Sequence, residues 1–582
     1  MFRYAPAVPR HLSRVLVIAG SLAGLASCMI AGAPGSGPQR PLPTPAVVTA
    51  DACRSLAQRF EFTGLRVTGA EVVPAGLFKQ DGVVTPSPEH CLVTGRMYER
   101  TSEVDGEPYA IGFEMRLPLA WNGRFFYQAN GGIDGVVQPA GGRLTGGAPR
   151  DSALNRGFAV ISSDAGHAAN QNPWFGLDPQ ARLDYGYNAV GTLTPMAKAL
   201  QAALYGKPPD RSYIGGCSNG GRHAMVAAAR FADQYDGFLA GDPGFNLPKA
   251  AMAQMAGAQQ YAKVAKPDDK GLPDLASAVT PAEFGLLSRR VVERCDALDG
   301  LADGMVGDTA ACQREFRLER DVPTCEGERN GQCLTDTQKQ VVADVMRGPR
   351  SSKGEAMYAS FPYDPGISGQ NWAFWEFVAA QRLDPGGAFI FLTPPIDRKE
   401  FMAMGGLRYA LGLDMDKDAP KIFATTSNYP LASMTFMTPP QATRMDALRR
   451  NGGKLLVYHG TADPVFSFND TAAWYEALGT AHGGRQSSFA RLFAVPGMNH
   501  CSGGPAADQF DALEQLVTWV ENGVAPERIV ANVRGDGANV VNKEVPVGWS
   551  ATRSRPLCPY PAVARYDGKG DPESADSFAC TS

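Results

Sequence analysis

Charged side chains are scarce in this sequence. Only 20% of the 582 residues are Asp, Glu, Lys or Arg, and the formal net charge is -4. Lysines and arginines are scattered along the chain, so it has no basic field of the kind that attracts nucleic acid. We therefore expect no nucleic-acid partner, and a small substrate that is not a polyanion.

A long hydrophobic run is also missing at the N-terminus. The apolar segment over residues 15–26 is too short to span a bilayer comfortably, and it follows Arg3, Arg10 and Arg14. Basic residues before a short apolar run are typical of an export signal. We therefore expect the protein to leave the cytoplasm.

The apolar run ends in Leu25-Ala26-Ser27-Cys28. This string is similar to the lipobox of bacterial lipoprotein signals, so we predict a signal peptide over residues 1–28 and a lipid on Cys28. A plain signal peptide, cut after Ala31-Gly32-Ala33, is the alternative. The expected location is secreted, periplasmic or outer-membrane lipoprotein, with membrane attachment only through a lipid on Cys28.

Cysteines are few but even in number once Cys28 is set aside, since 10 of the 11 remain. Exported proteins keep disulfides because their compartment is oxidising. The sequence alone does not fix how ten cysteines pair. Proximity along the chain favours four pairs, and the motifs described next favour a fifth: Cys53–Cys91, Cys295–Cys312, Cys325–Cys333, Cys558–Cys580 and Cys217–Cys501.

The order of elements predicts an α/β fold. Residues 29–50 are rich in Gly and Pro and are predicted to form a flexible tether. Strand-like runs follow at residues 124–128, 158–162 and 212–215, and helical segments at 194–205 and 222–231. Such alternation is typical of a parallel sheet covered by helices.

Residues 245–441 interrupt this pattern with scattered Met, Trp and Pro. Strand-like runs resume at residues 454–458 and 490–495, and a helix is predicted over 508–522. We therefore predict one α/β domain over residues 51–244 and 442–582. The insertion, residues 245–441, is predicted to be a lid domain.

Gly216-Cys217-Ser218-Asn219-Gly220 has the G-x-S-x-G pattern of a nucleophile elbow, in which a serine stands exposed at a tight strand-to-helix turn. A bare match of this kind is a weak signal. Its position after an apolar run and before an Ala-rich helix favours Ser218 as a nucleophile. The N–H of Asn219 would then lie at the helix start and donate to a developing oxyanion.

A serine nucleophile needs a base, which in this arrangement follows it along the chain. Four histidines do so: His223, His459, His482 and His500. Only His500 follows a strand by a short loop, as a catalytic histidine should. If Ser218 and His500 meet, Cys217 and Cys501 come within disulfide reach.

The acid that orients His500 should follow the preceding strand, where Asp463 lies. Asp470 is a competing candidate, and Asp463 could instead cap a turn before Pro464. A second oxyanion donor is expected in the loop after residues 124–128, where Gly132 offers an unhindered N–H. A plain glycine turn is the alternative there.

With these pieces placed, the chain resembles the tannase and feruloyl esterase family of α/β-hydrolases, and within it the terephthalate monoester hydrolases. The motifs that carry the resemblance are Gln128-Ala129-Asn130-Gly131-Gly132, Gly216-Cys217-Ser218-Asn219-Gly220-Gly221-Arg222, Tyr235-Asp236-Gly237, Tyr458-His459-Gly460, Pro496-Gly497-Met498-Asn499-His500-Cys501-Ser502-Gly503-Gly504-Pro505 and Arg555-Pro556-Leu557-Cys558-Pro559-Tyr560-Pro561. The resemblance implies an α/β-hydrolase fold with a lid inserted between nucleophile and acid. It also implies a catalytic set of Ser218, Asp463 and His500.

Several acidic residues follow Cys295. On physical grounds a solvated Asp-Gly turn is as good an interpretation as a calcium site. The resemblance favours calcium. No organic cofactor is expected. The implied ligands are the side chains of Asp296, Asp299 and Asp303 and the carbonyls of Leu301 and Met305.

For the substrate, the resemblance implies an arginine that binds a free carboxylate, and Arg382 matches it. A solvated arginine is the alternative. Trp375, Phe466 and Leu247 match the residues that hold the aromatic ring. Two features depart from the terephthalate enzymes: the segment after Arg382 is shorter, and Asn219 replaces an acidic residue.

The function predicted from the sequence is a secreted serine esterase for aromatic esters. A terephthalate monoester, hydrolysed to terephthalate and ethylene glycol, is the expected substrate. Feruloyl or galloyl esters are the alternative. A non-catalytic binding lipoprotein is a remote third interpretation.

Overall fold

A nine-stranded sheet is the framework of the protein. In chain order its strands are β1 (Leu65–Val73), β2 (His90–Thr101), β3 (Pro108–Pro118), β4 (Arg124–Gln128), β5 (Ala159–Ser163), β6 (Arg211–Cys217), β7 (Gly237–Gly241), β8 (Lys454–Gly460) and β9 (Ala490–Val495). This computed structural model describes residues 40–143 and 150–582. The predicted signal peptide, the lipidation of Cys28 and the tether up to residue 39 lie outside the described residues.

The strands lie in the order β9-β8-β7-β6-β4-β5-β3-β2-β1. Strands β4 to β9 pair with one another in parallel. The pairs β5–β3, β3–β2 and β2–β1 are antiparallel. Carboxyl ends of parallel strands share one edge of a sheet, where ligands bind in α/β proteins. The loops after β4, β6, β8 and β9 therefore meet at that edge, and the predicted α/β class is confirmed.

Side chains on both faces of the sheet are buried, because successive residues of a strand point to opposite faces. In β4, Phe125 and Tyr127 belong to one hydrophobic cluster and Phe126 to another. Successive side chains of a strand point to opposite faces, so five residues supply two cores. Helices cover both faces because parallel sheets need burial on each side.

Seven helices in the described part have eleven or more residues. They are α1 (Ala189–Tyr205), α2 (Asn219–Arg230), α3 (Leu247–Ala262), α4 (Pro281–Cys295), α5 (Asp336–Arg347), α6 (Phe468–Ala481) and α7 (Ala512–Asn522). The helix expected over 508–522 starts later, at Ala512, because Asp511 accepts a hydrogen bond from the N–H of Glu514 as its N-terminal cap. No helix in the described ranges is long and apolar enough to span a bilayer.

Shorter elements fill the rest of the chain. The short α-helices are Ala50–Arg54, Leu56–Arg59, Pro179–Leu183, Thr309–Glu315, Leu318–Asp321, Gln370–Ala373, Ala380–Arg382, Gly387–Phe391, Arg398–Met404, Gly406–Gly412, Met415–Asp418, Ser433–Phe436 and Asp446–Arg450. Two single π-helical turns occur at Asp184–Asn188 and Phe374–Ala379. The minor strand pairs are Ala46–Val47 with Ala120–Trp121, Lys266–Pro267 with Pro273–Asp274, Ile529–Asn532 with Ser554–Leu557 and Val563–Tyr566 with Phe578–Thr581.

The insertion contributes no strand to the nine-stranded sheet as described. It has a hydrophobic cluster of its own, which includes Trp372 and Phe377 and also takes in Phe466 from the loop after β8. The insertion therefore packs on the carboxyl edge of the sheet. Its status as a separate lid domain stays a prediction, since residues Pro41–Ser582 form one compact unit.

The prediction of a flexible tether up to residue 50 is wrong for its last part. The N–H of Thr44 donates to Asp210 at 2.8 Å, and Ala46–Val47 pairs with Ala120–Trp121. This segment is held because its backbone groups find partners on the α/β domain. Composition alone does not reveal such long-range pairing.

All five predicted disulfides are present: Cys53–Cys91, Cys217–Cys501, Cys295–Cys312, Cys325–Cys333 and Cys558–Cys580. Four of them close short stretches of chain. Cys217–Cys501 spans 284 residues and links the loops after β6 and β9. The pairing inferred from the two motifs is therefore confirmed.

Candidate active site

Ser218 occupies a strained turn between β6 and α2. Its backbone has φ 66° and ψ -127°, an uncommon conformation for a residue with a side chain. Neighbouring glycines allow this turn, because a Cβ on Gly216 or Gly220 would lie 2.2 or 2.3 Å from the carbonyl oxygen of Ala129. The local sequence thus holds Ser218 at the carboxyl edge of the sheet.

Ser218, His500 and Asp463 form a continuous chain of hydrogen bonds. Nε2 of His500 lies 2.8 Å from Oγ of Ser218, and Nδ1 lies 2.7 Å from Oδ2 of Asp463. Oδ1 of Asp463 accepts the N–H groups of Val465 and Phe466, each at 2.9 Å. The geometry lets His500 take a proton from the serine while Asp463 fixes the imidazole.

The charge of Asp463 is maintained despite its burial. Burial alone raises the pKa of this carboxyl, but His500 and His459 outweigh it and hold the pKa well below the usual range. Asp463 is therefore an ionised acceptor at neutral pH. It suits the role of stabilising an imidazolium.

The competing candidates lie elsewhere. Asp470 accepts two hydrogen bonds from Asn246, at 2.9 and 3.1 Å, and none from His500. Nε2 of His482 lies against the carbonyl of Arg444 on the exposed surface. Among the described residues, Asp463 alone supports His500.

Two buried residues behind Asp463 were missed by sequence reasoning. Nε2 of His459 lies 2.9 Å from the carbonyl of Phe466 and 3.4 Å from Oδ2 of Asp463. Asp242 accepts the N–H of Gly460 at 2.8 Å, and burial raises its pKa to about 7. Tyr458-His459-Gly460 was recognised as a motif, but nothing in the sequence linked Asp242 to it.

The loop predicted to form the oxyanion hole lies beside Ser218. An added Cβ on Gly131 would lie 3.8 Å from Cβ of Ser218, and one on Gly132 would meet nothing within 4 Å. Gly132 has φ 66°, which glycine adopts at little cost. Within the described ranges its N–H donates to no protein acceptor. Asn219 is the first residue of α2, so its N–H has no intrahelical partner.

Aromatic rings flank His500 on two sides. The ring of Trp375 meets the imidazole edge-on with centroids 5.4 Å apart, and Phe466 does the same at 5.3 Å. Leu247 packs between the core of the sheet and the cluster of the insertion. Three of the four predicted substrate-binding residues are thus in or next to the site.

Arg382 ends a short helix that follows the π-helical turn bearing Trp375. Its side chain is exposed and has no hydrogen bond or ion pair among the described residues. The structure therefore does not bring it into contact with Ser218, His500 or Asp463. Its guanidinium remains available to a ligand.

The predicted calcium ligands lie on one loop directly after α4. Asp299 is buried, and burial, with added repulsion from Asp303 and Asp296, raises its pKa to about 7. The carbonyls of Leu301 and Met305 accept no hydrogen bond from the described part of the protein. Carboxylates and free carbonyls are the oxygen donors that calcium takes, so the donor set fits in kind.

Their spacing is wider than in a closed site. In the described structure the three carboxylates do not all lie within 4.8 Å of one another. Asp296 accepts the N–H groups of Asp303 and Gly304 at 3.0 and 2.9 Å, and Asp303 pairs with Arg555. An ion would have to replace part of these contacts.

The parallel sheet, the elbow after β6 and the hydrogen-bonded residues after β8 and β9 define an α/β-hydrolase. Residues 91–581 match the family model described as "Tannase and feruloyl esterase". The chain belongs to the tannase and feruloyl esterase family, and it is an ester hydrolase.

Two relatives from bacteria cover most of the chain. A mono(2-hydroxyethyl) terephthalate hydrolase from Piscinibacter sakaiensis is 40% identical over 550 residues, which is 88% of each chain. An uncharacterized esterase from Xanthomonas campestris is 31% identical over 552 residues, again 88% of each. Both similarities extend well beyond the motifs of the site.

Solved structures share the fold. Feruloyl esterase B from Aspergillus oryzae superposes with a TM-score of 0.70 at 22% identity, covering 91% of this chain and 100% of that one. Tannin acyl hydrolase from Aspergillus niger gives 0.65 at 18% identity, with 93% and 96% covered. At these identities the likeness concerns architecture alone.

Proposed function

We propose that the protein hydrolyses aromatic carboxylic esters through an acyl-enzyme, with Ser218 as nucleophile, His500 as base and Asp463 as its orienting acid. The observation that carries the proposal is the hydrogen-bond chain from Ser218 Oγ through His500 to Asp463, with links of 2.8 and 2.7 Å. These contacts join residues 282 and 37 positions apart in the chain. A binding protein has no need of all three.

In the first half of the reaction, Oγ of Ser218 attacks the ester carbonyl carbon and its proton passes to Nε2 of His500. Asp463 accepts the Nδ1–H of His500 and stabilises the imidazolium. The N–H groups of Gly132 and Asn219 donate to the oxyanion of the tetrahedral intermediate. Collapse releases the alcohol, which takes the proton from His500, and leaves an acyl group on Ser218.

In the second half, a water molecule gives a proton to His500 and attacks the acyl carbon. The tetrahedral intermediate forms against the same two N–H groups. Its collapse returns the proton to Oγ of Ser218 and releases the carboxylic acid. No organic cofactor takes part in these steps.

We propose a terephthalate monoester as the preferred substrate. Trp375 and Phe466 can hold a planar ring beside His500, with Leu247 behind them, and aromatic rings favour such edge-on or stacked partners. The free carboxylate would pair with Arg382, whose planar guanidinium suits bidentate binding. The similarity to the terephthalate hydrolase supports this choice.

The deciding experiment compares kcat/KM for mono(2-hydroxyethyl) terephthalate, methyl ferulate and methyl gallate, with Ser218→Ala as the inactive reference. We expect the terephthalate ester to be preferred and Ser218→Ala to abolish turnover of all three. A preference for ferulate or gallate would establish the alternative substrate class. Undiminished hydrolysis by Ser218→Ala would refute the catalytic assignment, and no hydrolysis by well-folded wild type would favour a binding protein.

A structural calcium ion is proposed for the loop after α4, held by Asp296, Asp299, Asp303 and the carbonyls of Leu301 and Met305. The repulsion of buried Asp299 by Asp303 and Asp296 supports it, because a divalent cation would offset this repulsion. The loop lies between the two cysteines of the Cys295–Cys312 bridge. Its role would be to fix the base of the insertion, not to take part in chemistry.

We also propose that the protein is exported and works in an oxidising compartment. Five disulfides among the described residues support this, since such bonds are rare in the cytosol. The choice between a lipid on Cys28 and a free mature chain is a matter for mass spectrometry of the N-terminal peptide. A diacylglyceryl mass on Cys28 is the expected result.

A further inference from the structure

The loop after β4 is held by an unusual set of contacts to its carbonyl groups. Four side chains each donate to a different carbonyl of this loop: Asn219 to Asn130 at 3.3 Å, Tyr185 to Gly132 at 3.2 Å, His167 to Ile133 at 2.9 Å and Asn172 to Asp134 at 3.1 Å. They come from three segments of the chain, since His167 and Asn172 lie on the same loop after β5.

Two of these donors, Tyr185 and His167, are deeply buried. Tyr185 and His167 are 0% and 1% exposed, so water does not compete for the carbonyls they bind. Burial raises the pKa of Tyr185 and lowers that of His167, which leaves a hydroxyl and a neutral imidazole, both able to donate. Nε2 of His167 must carry the proton for this contact.

The donors also pack on one another. The ring of His167 stacks on Phe175 with centroids 3.7 Å apart, and Phe175 meets Tyr185 edge-on at 5.4 Å. The guanidinium of Arg222 lies 4.9 Å from the Tyr185 ring centroid, and its Nη2 donates to the Tyr185 carbonyl at 2.9 Å. The hydroxyl of Tyr185 therefore has little freedom to move.

A peptide plane that is fixed at its carbonyl is also fixed at the N–H of the following residue, since these two groups belong to one planar peptide. Asn219 therefore fixes the peptide between Asn130 and Gly131, and Tyr185 fixes the peptide between Gly132 and Ile133. The peptide between Gly131 and Gly132, which carries the N–H of Gly132, lies between these two held peptides, and Gly131 lies next to Ser218. Preorganised N–H groups stabilise an oxyanion because they need no rearrangement during reaction.

We infer that Tyr185 is a positioning residue for the oxyanion hole: its hydroxyl holds the carbonyl of Gly132 and thereby limits the rotation of the adjoining Gly131–Gly132 peptide, whose N–H is the proposed oxyanion donor. The inference rests on the catalytic role proposed for Ser218 and Gly132. Tyr185 does not touch the reacting atoms. It acts only through the peptide of the loop.

The test compares Tyr185→Phe with a matched control, Tyr205→Phe. Tyr205 is also a buried tyrosine whose hydroxyl donates to a backbone carbonyl, that of Pro118 at 2.9 Å, but it lies on the far end of α1. Both variants lose one buried hydroxyl and one such hydrogen bond. Only Tyr185→Phe frees a carbonyl in the glycine loop.

With 4-nitrophenyl butyrate we expect Tyr185→Phe to lower kcat about tenfold with KM within about twofold, since losing a whole oxyanion donor costs about 10²–10³ in kcat. Tyr205→Phe should keep both constants within about twofold. Phenylboronic acid provides a second measurement. Its boron bonds to Ser218 Oγ, the serine proton passes to His500, and the anionic adduct has an oxygen in the oxyanion hole. Its Ki should rise with Tyr185→Phe by the same factor.

Unchanged kcat and Ki in a folded Tyr185→Phe, or equal losses in both variants, would overturn the inference. Should Tyr185→Phe not fold, Tyr185→His keeps a ring at this position but not the hydroxyl that reaches Gly132, and it is expected to lower kcat in the same way; unchanged kcat there would also overturn the inference. Ser218→Ala separates the two levels. Activity surviving in Ser218→Ala contradicts the proposed function itself, whereas an inactive Ser218→Ala with a fully active Tyr185→Phe contradicts only the role of Tyr185.

Discussion

A disulfide joins Cys217, the residue before Ser218, to Cys501, the residue after His500. The Cα atoms of the two cysteines are 6.0 Å apart. The bond links the ends of β6 and β9, which have β7 and β8 between them in the sheet. The segments that carry Ser218 and His500 are therefore held together covalently as well as by the hydrogen bond between these two side chains.

Replacing both Cys217 and Cys501 with Ala is expected to lower kcat by about 10–100-fold, because small misplacements of catalytic groups cost rates of that size. The matched control is the Cys325→Ala, Cys333→Ala variant, which opens an eight-residue separation within the insertion. It should retain kcat. Steady-state kinetics of the two purified variants, with circular dichroism to establish folding, check this; equal kcat values would contradict it.

Asp463→Asn is expected to lower kcat by about 10⁴-fold, since an amide at this position favours the wrong imidazole tautomer. Asp470→Asn, which changes a partly buried aspartate bonded to Asn246, should stay within a few-fold of wild type. Rates with 4-nitrophenyl butyrate distinguish them. Comparable losses in the two variants would show that His500 does not depend on Asp463 alone.

Arg382→Ala is expected to lower kcat/KM for mono(2-hydroxyethyl) terephthalate by about 10–100-fold, the range for losing a hydrogen bond to a charged group. Hydrolysis of neutral methyl ferulate by the same variant is the control and should change little, because this ester has no carboxylate. Parallel losses on both esters would leave Arg382 without a role in carboxylate recognition.

Glu376 should make stability depend on pH. It lies fully buried in the π-helical turn next to Trp375, and burial raises its pKa to about 8. In the unfolded chain its pKa is about 4.3, so the folded state retains a proton that the unfolded state releases between about pH 4 and 8. The stabilisation by protonated Glu376 is thus complete below about pH 4 and is lost as the pH rises through 8.

Glu376→Gln removes this titration. The thermal unfolding temperature of wild type should fall relative to that of Glu376→Gln as the pH is raised from 5 to 8.5. The exposed Glu355→Gln controls for the loss of one acidic group, and its difference from wild type should not follow that trend. A constant difference between wild type and Glu376→Gln across this pH range would refute the assignment.

If the proposed calcium ion is bound, its removal is expected to lower the unfolding temperature of the protein by several degrees. The reason is that Asp296, Asp299 and Asp303 would be left to repel one another. EGTA with and without excess Ca²⁺, followed by calorimetry, measures the effect. Asp299→Asn should abolish the response to Ca²⁺, while Asp470→Asn should preserve it. The calcium proposal would be refuted if EGTA does not change the unfolding temperature of wild type and titration calorimetry detects no binding of Ca²⁺.

The residues that could be predicted are those whose position follows from strand order. Ser218, Asp463 and His500 each follow a parallel strand, and parallel strands end at one edge, so sequence order nearly determines that they meet. Cys217–Cys501 could be inferred for the same reason. The lid interpretation of the insertion rests on resemblance and stays a prediction.

Other parts of the site depend on contacts that local sequence does not encode. Tyr185 reaches Gly132 from a π-helical turn, and no pattern of apolar residues announces such a turn. Asp242 and His459 meet behind Asp463 through the packing of neighbouring strands. The attachment of residues 44–47 to the α/β domain was missed because Gly/Pro content reports chain stiffness and not distant partners.

The edge-on contact between Trp375 and His500 has a consequence for how relatives diverge. The ring that would define the substrate pocket comes from the insertion, whereas the imidazole it touches belongs to the sheet. Transplanting an insertion from one family member to another would therefore alter turnover together with substrate preference. Chimeric enzymes would need matched residues on both sides of this contact to gain a new specificity without a loss of kcat.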